Sequence, residues 1–370
     1  MKKLEKSVPV IRFKGFSEAW EQRKFIEIIN RLSKTSNSSI LPKVEYEDII
    51  AEEGRLNKDI SNKFDSRKGI LFQPKNILYG KLRPYLKNWL YPDFKGVAVG
   101  DFWVFEAIEA TPRFIYNLIQ SDSYQKVAND TAGTKMPRSD WTKVSNSSFF
   151  IPKESSEQKR IGTFFKQLDD TIALHQRKLD TLKQMKKGLL QQMFPKSEED
   201  VPKIRFADFD EEWYQRKLGE EFEKINERND GSFGKTHWIS VAKMYFVEPN
   251  KVLSNNIDTR TYVMRKGDIA FEGHSNTDFK FGRFVANDIG PGIVSELFPV
   301  YRHKTNYDNN YWKNAIQLEH IMAPIYSKSI TSSGNSSNKL DSKHFLNQKI
   351  YIADFEEQEK IGSIFKQLDN

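Results

Sequence analysis

Residues Glu157–Asp170 read EQKRIGTFFKQLDD. The phrase returns at Glu357–Asn370 as EQEKIGSIFKQLDN, identical at nine of fourteen positions and displaced by 200 residues. A second phrase behaves in the same way. Val8–Lys24 reads VPVIRFKGFSEAWEQRK and Val201–Lys217 reads VPKIRFADFDEEWYQRK. Counting Phe25 against Leu218, eleven of eighteen positions agree at an offset of 193. Between these anchors the match is weaker. GVAVGDFWVF (Gly96–Phe105) aligns with GIVSELFPVY (Gly292–Tyr301) at offset 196, and TAGTKMP at Thr131 has a loose counterpart in TSSGNSS at Thr331. A period near 200 residues is too long for a solenoid unit, so the chain is a duplicated domain with a linker. The framing phrases stay the same while the middles diverge. That pattern is expected if each middle performs a different version of one job.

Outward from Glu157 the apolar spacing predicts one long helix. Ile161, Phe165, Leu168, Ile172, His175, Leu179, Leu182, Lys186, Leu189 and Met193 follow one another at alternating steps of 4 and 3 residues, a heptad seam. Ser155 with Gln158 predicts a capping box, Pro195 a stop, and KSEED a polar hinge. Glu157 to Phe194 is 38 residues, about 57 Å of helix at the standard rise. His175 reads as a register residue on the seam. In the second copy Asp354 with Glu357 predicts another box, and Ile361, Phe365 and Leu368 restart the seam. Gly162 and Gly362 occupy matching places. A helical glycine costs roughly 1 kcal/mol relative to alanine, so a close helix crossing is expected at both. The second helix runs only to Asn370, so the first has more seam than the second covers, and self-association through its unpaired end is expected.

Each middle reads as mixed α/β. In the first, GVAVGDFWVFEA is expected to be a strand and TPRFIYNLIQSDSYQKVAND a helix opened by Thr111-Pro112. In the second, RTYVMRKGDIAFEG reads as strands, GIVSELFPVY as a strand and NNYWKNAIQLEHIM as a helix. The phrase residues Ile11, Phe13, Phe16 and Trp20, with Ile204, Phe206, Phe209 and Trp213, are expected to be core anchors. Basic and amide side chains gather at turns. In the first middle these are Lys81, Arg83 and Lys87, then Thr134, Lys135 and Arg138. In the second they are Lys235, Thr236 and His237; His274, Ser275 and Asn276; Lys280 and Arg283; and Asn335, Ser336, Asn338 and Lys339. Arg and Asn make the usual bidentate readings of guanine and adenine, while Lys, Ser and Thr serve phosphates. These are the candidate DNA-binding residues.

The totals agree with a polyanionic partner. The chain has 370 residues, 58 Lys+Arg against 50 Asp+Glu, a net charge of +8 and a pI near 9.2. It has no cysteine, which removes disulfides, thiolate zinc sites and cysteine nucleophiles. MKKLEKSVPV lacks the apolar core of a secretory signal and no apolar run approaches a membrane span, so a cytoplasmic location is expected. NDGSFGKT (Asn229–Thr236) lacks the first glycine of a phosphate-binding loop and precedes a strand-like HWISV. Neither HExxH, GxSxG, the dinucleotide glycine fingerprint nor an Asn-Pro-Pro-Tyr segment occurs, so no catalytic centre or metal site is expected.

In this order, the two phrases resemble the specificity subunits of type I restriction-modification systems. The resemblance covers nearly all of the chain, and its most specific part is the EQ..IG..F..LD..I..H..KL helix. It implies an α+β chain of two similar target recognition domains in a pseudo-two-fold arrangement. Long conserved helices would separate them as an antiparallel coiled-coil spacer. The expected boundaries are 1–153 for the first recognition domain, 154–196 for the first spacer helix, 197–353 for the second domain and 354–370 for the start of the second helix. Each domain would read half of a split double-stranded DNA site. The chain itself would be non-catalytic. Two methyltransferase subunits using S-adenosylmethionine would methylate adenine, and motor-nuclease subunits using ATP and magnesium would add cleavage. The second helix stops where the family's usually continues, which leaves an alternative expectation: a truncated scaffold or decoy that binds methyltransferase subunits without full DNA recognition.

Overall fold

The computed structural model describes residues 8–131, 135–196, 199–253, 257, 260–333 and 337–369. The chain divides into two compact units, 1–175 and 176–370.

In the first unit a four-stranded antiparallel sheet runs in the order Ile29–Leu32, Phe102–Ala107, Ile77–Gly80, Trp89–Leu90. Its side chains alternate between two cores. Leu78, Leu90, Phe102 and Val104 face a smaller sheet through Val44, Phe72 and Ala98. Ile77, Tyr79, Trp89, Trp103 and Phe105 face the helices through Phe114, Ile115 and Tyr124. Both faces of the sheet are therefore buried, and the period of two divides one aromatic-rich strand between two layers. The smaller sheet orders Thr35–Ser36, Gly69–Phe72, Gly96–Ala98 and Lys43–Val44, with the last pair parallel.

The second unit repeats the design. Its sheet orders Phe222–Ile225, Val300–His303, Ile269–Glu272 and Arg283–Ala286. Ala270, Val285 and Val300 face the small-sheet core with Met264 and Val294. Ile269, Phe271, Phe284, Ala286 and Tyr301 face the helical core with Tyr311 and Trp312. The duplication thus extends from sequence to strand order and to the side each residue faces.

Several expected elements are divided. GVAVGDFWVFEA is two strands in different sheets, Gly96–Ala98 and Phe102–Ala107, separated at Gly100, whose φ of 102° suits glycine. GIVSELFPVY likewise splits into Gly292–Ser295 and Val300–His303. The helix after Thr111 breaks at Ser121, whose hydroxyl caps the next helix by accepting from Tyr124 N. NNYWKNAIQLEHIM splits into Asn309–Ala315 and Glu319–Ser329.

The repeated phrases close each unit. The EQRK of the first phrase, Glu21–Lys24, pairs antiparallel with Ser148–Ile151, and YQRK, Tyr214–Lys217, pairs with Lys349–Ile352. The strand that opens each copy therefore lies beside the strand that leads into its helix. Arg12 Nε and Nη2 donate to the two oxygens of Glu157 at 2.7 and 2.8 Å, and Trp20 Nε1 donates to Glu157 Oε1 at 3.2 Å. Arg205 repeats this on Glu357 at 2.8 and 2.8 Å, with Trp213 Nε1 at 3.0 Å. The two glutamate side chains are only 2% and 0% exposed. Burial of a carboxylate is tolerable here because a planar guanidinium meets it with two parallel bonds.

This corrects the expectation of apolar anchors. Ile11 is 91% exposed and Ile204 is 41% exposed, whereas Arg12 and Arg205 carry the closure. Trp213 is buried as expected, and Phe13, Phe16, Trp20, Phe206 and Phe209 are half-buried. The glutamine after each glutamate also has a fixed task. Gln158 accepts from Thr111 N at 2.8 Å and donates to Pro152 O at 2.9 Å, while Gln358 accepts from Asp308 N and donates to Ala353 O. The Ser155–Gln158 capping box therefore does not form: Ser155 lies inside the helix Ser155–Gln192 and Gln158 is engaged elsewhere. In the second copy only half of the box forms. Asp354 Oδ1 accepts from Glu357 N at 2.8 Å, while the Glu357 side chain serves Arg205.

The expected close crossings at the glycines are present. A Cβ on Gly162 would lie 2.8 Å from Arg113 Cγ, and one on Gly362 would collide with Asp308 Oδ1 and sit 3.0 Å from Tyr311 N. The seam has two fates. In the second unit Ile361 and Phe365 are buried against Leu189, Met193 and Phe194, with Leu368 half-buried and Lys186 paired to Asp369. In the first helix Ile161 is half-buried against the helical core of its own unit, but Phe165, Leu168, Ile172 and Leu179 are between 42% and 64% exposed. His175 is also exposed, and Leu182 is half-buried.

Candidate nucleic-acid interface

The third and fourth strands of each main sheet are joined by a hairpin. The connection is 81–88 in the first copy and 273–282 in the second, at the same position of the same strand order. In both, the segment ahead of the next short helix docks against it. In the first copy Arg83 N donates to Pro137 O at 2.7 Å, Ser139 N donates to Lys81 O at 2.8 Å, and Leu82 bridges to Arg138. In the second, Asn338 N donates to Gly273 O at 2.9 Å. These contacts join pieces of chain that the sequence keeps far apart.

The first hairpin brings Lys81, Arg83 and Lys87 beside Arg138, and Lys135 is an exposed residue three positions ahead of Arg138 on the docking segment. Lys81 and Arg138 share Asp101 at 3.6 and 3.1 Å, and Lys87 pairs with Glu52 at 3.1 Å. Arg83 makes no ion pair among the described residues. Beneath it the Tyr46 hydroxyl donates to Asp101 O at 2.5 Å and accepts from Leu82 N at 3.1 Å. Burial raises the Tyr46 hydroxyl pKa well above its usual range, so it stays a donor. The tip is a single turn, Pro84–Leu86, flanked by Arg83 and Lys87 with left-handed φ of 49° and 54°. Pro84 is buried while Tyr85 is 55% exposed. Thr134 lies outside the described residues.

The second hairpin carries His274, Ser275, Asn276 and Lys280, all exposed. Local chemistry occupies some of them. Asn276 Oδ1 accepts from Asp278 N and Phe279 N, both at 2.9 Å, so its carbonyl shapes its own turn. His274 Nδ1 contacts the buried Glu272. Arg283 lies over the Phe279 ring at 4.9 Å and donates to Ala242 O at 2.5 Å, so it braces the hairpin against a neighbouring loop. Asn338 and Lys339 sit on the strand Asn338–Leu340 beside this turn, and Asn335 and Ser336 lie outside the described residues. Lys235, Thr236 and His237 form a separate turn ahead of the small strand Ile239–Ser240, away from the hairpin's own contacts. There Thr236 Oγ1 and His237 Nδ1 are 3.0 Å apart.

Sequence reasoning missed two sets of residues. Arg12, Glu157, Arg205 and Glu357 were detectable, since all four stand at positions identical between the copies and carry opposite charges. Tyr85 and the left-handed backbone at Arg83 and Lys87 had no comparable signal, because neither residue type marks positive φ.

Comparison with known proteins gives these features a context. The model of the family described as "Type I restriction modification DNA specificity domain" matches residues 17–184. The first copy is thus similar to a type I DNA specificity domain. The match begins inside the first repeated phrase and ends within the long helix, so it encloses the sheet, its hairpin, Trp20 and Glu157, while Arg12 precedes it. A search of curated proteins finds no match. Among solved structures, the S subunit of a type I restriction-modification system from M. genitalium superposes with a TM-score of 0.59 at 13% identity, covering 98% of this chain and 91% of that one. A chain from a structure of "complex assembly and conformational transition of the type I R-M system" gives 0.53 at 16% identity, covering 98% and 92%. At such identities the likeness concerns the fold, which is the α+β fold of specificity subunits over nearly the whole chain. Among the described residues no cluster of His, Asp and Glu is placed to hold a metal ion, and no helix is long and apolar enough to cross a membrane.

Proposed function

We propose that this chain is the DNA sequence-specificity subunit of a type I restriction-modification complex and is itself non-catalytic. Each copy reads one half of a bipartite site in double-stranded DNA. The observation that carries the reading is the repeated hairpin: one sheet position, two copies, and two different sets of side chains, basic in the first and mixed basic and polar in the second. A shared frame with unlike tips is what two unlike half-sites require. The net charge of +8 supplies general attraction to the phosphate backbone.

In this reading the conserved helices act as the spacer and offer docking surface to two methyltransferase subunits. The exposed seam at Phe165, Leu168, Ile172 and Leu179 is where such helical contact, or pairing with a second copy, would be made. The partners supply the chemistry: adenine methylation from S-adenosylmethionine, and ATP- and magnesium-dependent restriction by motor-nuclease subunits. Methylome sequencing of a host that expresses the chain with its methyltransferase subunits tests this. One interrupted, asymmetric methylated motif is expected. Complex formation without any motif would instead favour a scaffold that sequesters methyltransferase subunits.

A further inference from the structure

We propose that the tip of the first hairpin is an aromatic wedge, with Tyr85 pressed into a base step of the first half-site and Arg83 and Lys87 held on the flanking phosphates. The inference rests on the DNA-specificity reading and adds to it a mode of recognition and a residue.

Three observations converge on the tip. Tyr85 and Leu86 are 55% and 41% exposed, two apolar side chains at the end of a turn where no packing holds them. On either side stand Arg83 and Lys87, both in the left-handed region that side-chain-bearing residues rarely adopt. The turn is also rigid. Pro84 is buried, Leu86 N and Lys87 N donate back to Arg83 O and Pro84 O at 2.8 and 2.9 Å, and Arg83 N is fixed to Pro137 O at 2.7 Å. Backbone strain of this kind persists only where the surroundings over-determine it. Here the surroundings hold an aromatic ring outward between Arg83 and Lys87, the latter paired to Glu52 at 3.1 Å.

The charge argues for DNA as the occupant. Arg83 has no ion pair among the described residues, and Lys81 and Arg138 lie beside it sharing the single carboxylate of Asp101, so cations outnumber carboxylates around that side of the tip. Apolar side chains framed by Arg and Lys are how proteins part base steps and kink a duplex. The second hairpin does not share the device. Its Phe279 and Phe281 are half-buried, with Arg283 over one ring and Tyr326 beside the other. The wedge therefore belongs to one half-site only.

The test uses the assembled methyltransferase and the duplex motif found by methylome sequencing, with 2-aminopurine placed at successive positions of each half-site. The native complex should raise fluorescence at one step of the first half-site, and Tyr85→Ala should abolish the rise. Tyr85→Ala should also lower methylation of that motif roughly ten-fold, the scale of one lost base contact, and relax sequence preference in the first half alone. Tyr85→Phe keeps the ring and should behave as native. Arg83→Ala should weaken binding and lower its salt dependence without changing the motif. Melting temperatures of all variants should match the native chain, since the tip is exposed. Native motif and methylation level in Tyr85→Ala would overturn the wedge while leaving the specificity reading intact. Equal loss at both half-sites, or failure of Tyr85→Phe, would overturn it too. Absence of any motif in the native complex would instead sink the specificity reading itself.

Discussion

At the scale of single residues, the two buried glutamates hold most of the frame. Removing Glu357 would leave the Arg205 guanidinium and the Trp213 N–H facing a dry site. Glu357→Ala is therefore expected to destabilise the second unit by about 3–5 kcal/mol, measured by chemical denaturation. Replacing both partners, as in Arg205→Met with Glu357→Leu, should cost less than the single change, because no charge is then stranded. His303 gives a pH signature. Its ring stacks on Tyr307 at 3.8 Å, and neither ring nitrogen has a hydrogen-bond partner among the described residues. Burial pushes its pKa down to about 3 from an ordinary 6.5. Above pH 6.5 the ring is neutral both folded and unfolded, so it adds no pH dependence. Below that, the unfolded chain takes up a proton that the folded chain refuses, and stability falls by up to about 1.4 kcal/mol per pH unit towards pH 3. His303→Phe should flatten this slope in melts between pH 7 and 5; an unchanged slope would count against the assignment.

At the scale of elements, the glycines separate helix propensity from packing. In isolation, alanine at either site would favour the helix by roughly 1 kcal/mol. Gly362→Ala nevertheless should destabilise, because its methyl meets the Asp308 carboxylate and the Tyr311 backbone. Gly162→Ala meets Arg113 Cγ and Cβ at 2.8 and 3.0 Å but the backbone only in ordinary contact at 3.5 Å, so its effect should be smaller. Thermal melts of the pair give the order; the reverse order would refute this account of the crossing. The long helix itself was legible from the Ile161–Met193 spacing, and the crossings from paired glycines. The divisions within GVAVGDFWVFEA and GIVSELFPVY were not. Apolar runs on both sides of a turn look continuous when each strand is buried on two faces. The capping box failed for a related reason. Gln158 matched the local pattern, but a backbone N–H 47 residues away, at Thr111, claims its side chain.

At the scale of the whole molecule, the proposed function makes the duplicated chain a modular reader. Exchanging residues 25–150 for the interior of another recognition domain should change one half of the methylated motif and leave the other half unaltered, as methylome sequencing would report. A change in both halves would refute independent reading. The repeat and its frame were legible because two copies in one chain act as a comparison of their own. The candidate interface was legible only as a set of turn residues. Lys81 and Arg138 meet through a bridge between distant segments, while Lys235 and His274, nearer in sequence, stand in turns beside different sheets. Which turns converge depends on strand order, and spacing along the chain does not encode it.

The closure of each unit also has a consequence for synthesis. Arg12 and Trp20 wait for Glu157, 145 and 137 residues later, and the strand at Glu21–Lys24 waits for Ser148–Ile151. As the chain leaves the ribosome, the first domain cannot close until the opening turn of the long helix has emerged. Contacts of such long range form slowly, and domains fold in order from the N-terminus. The growing chain thus receives the signal that the first domain is complete and the start of its connecting helix from the same few residues.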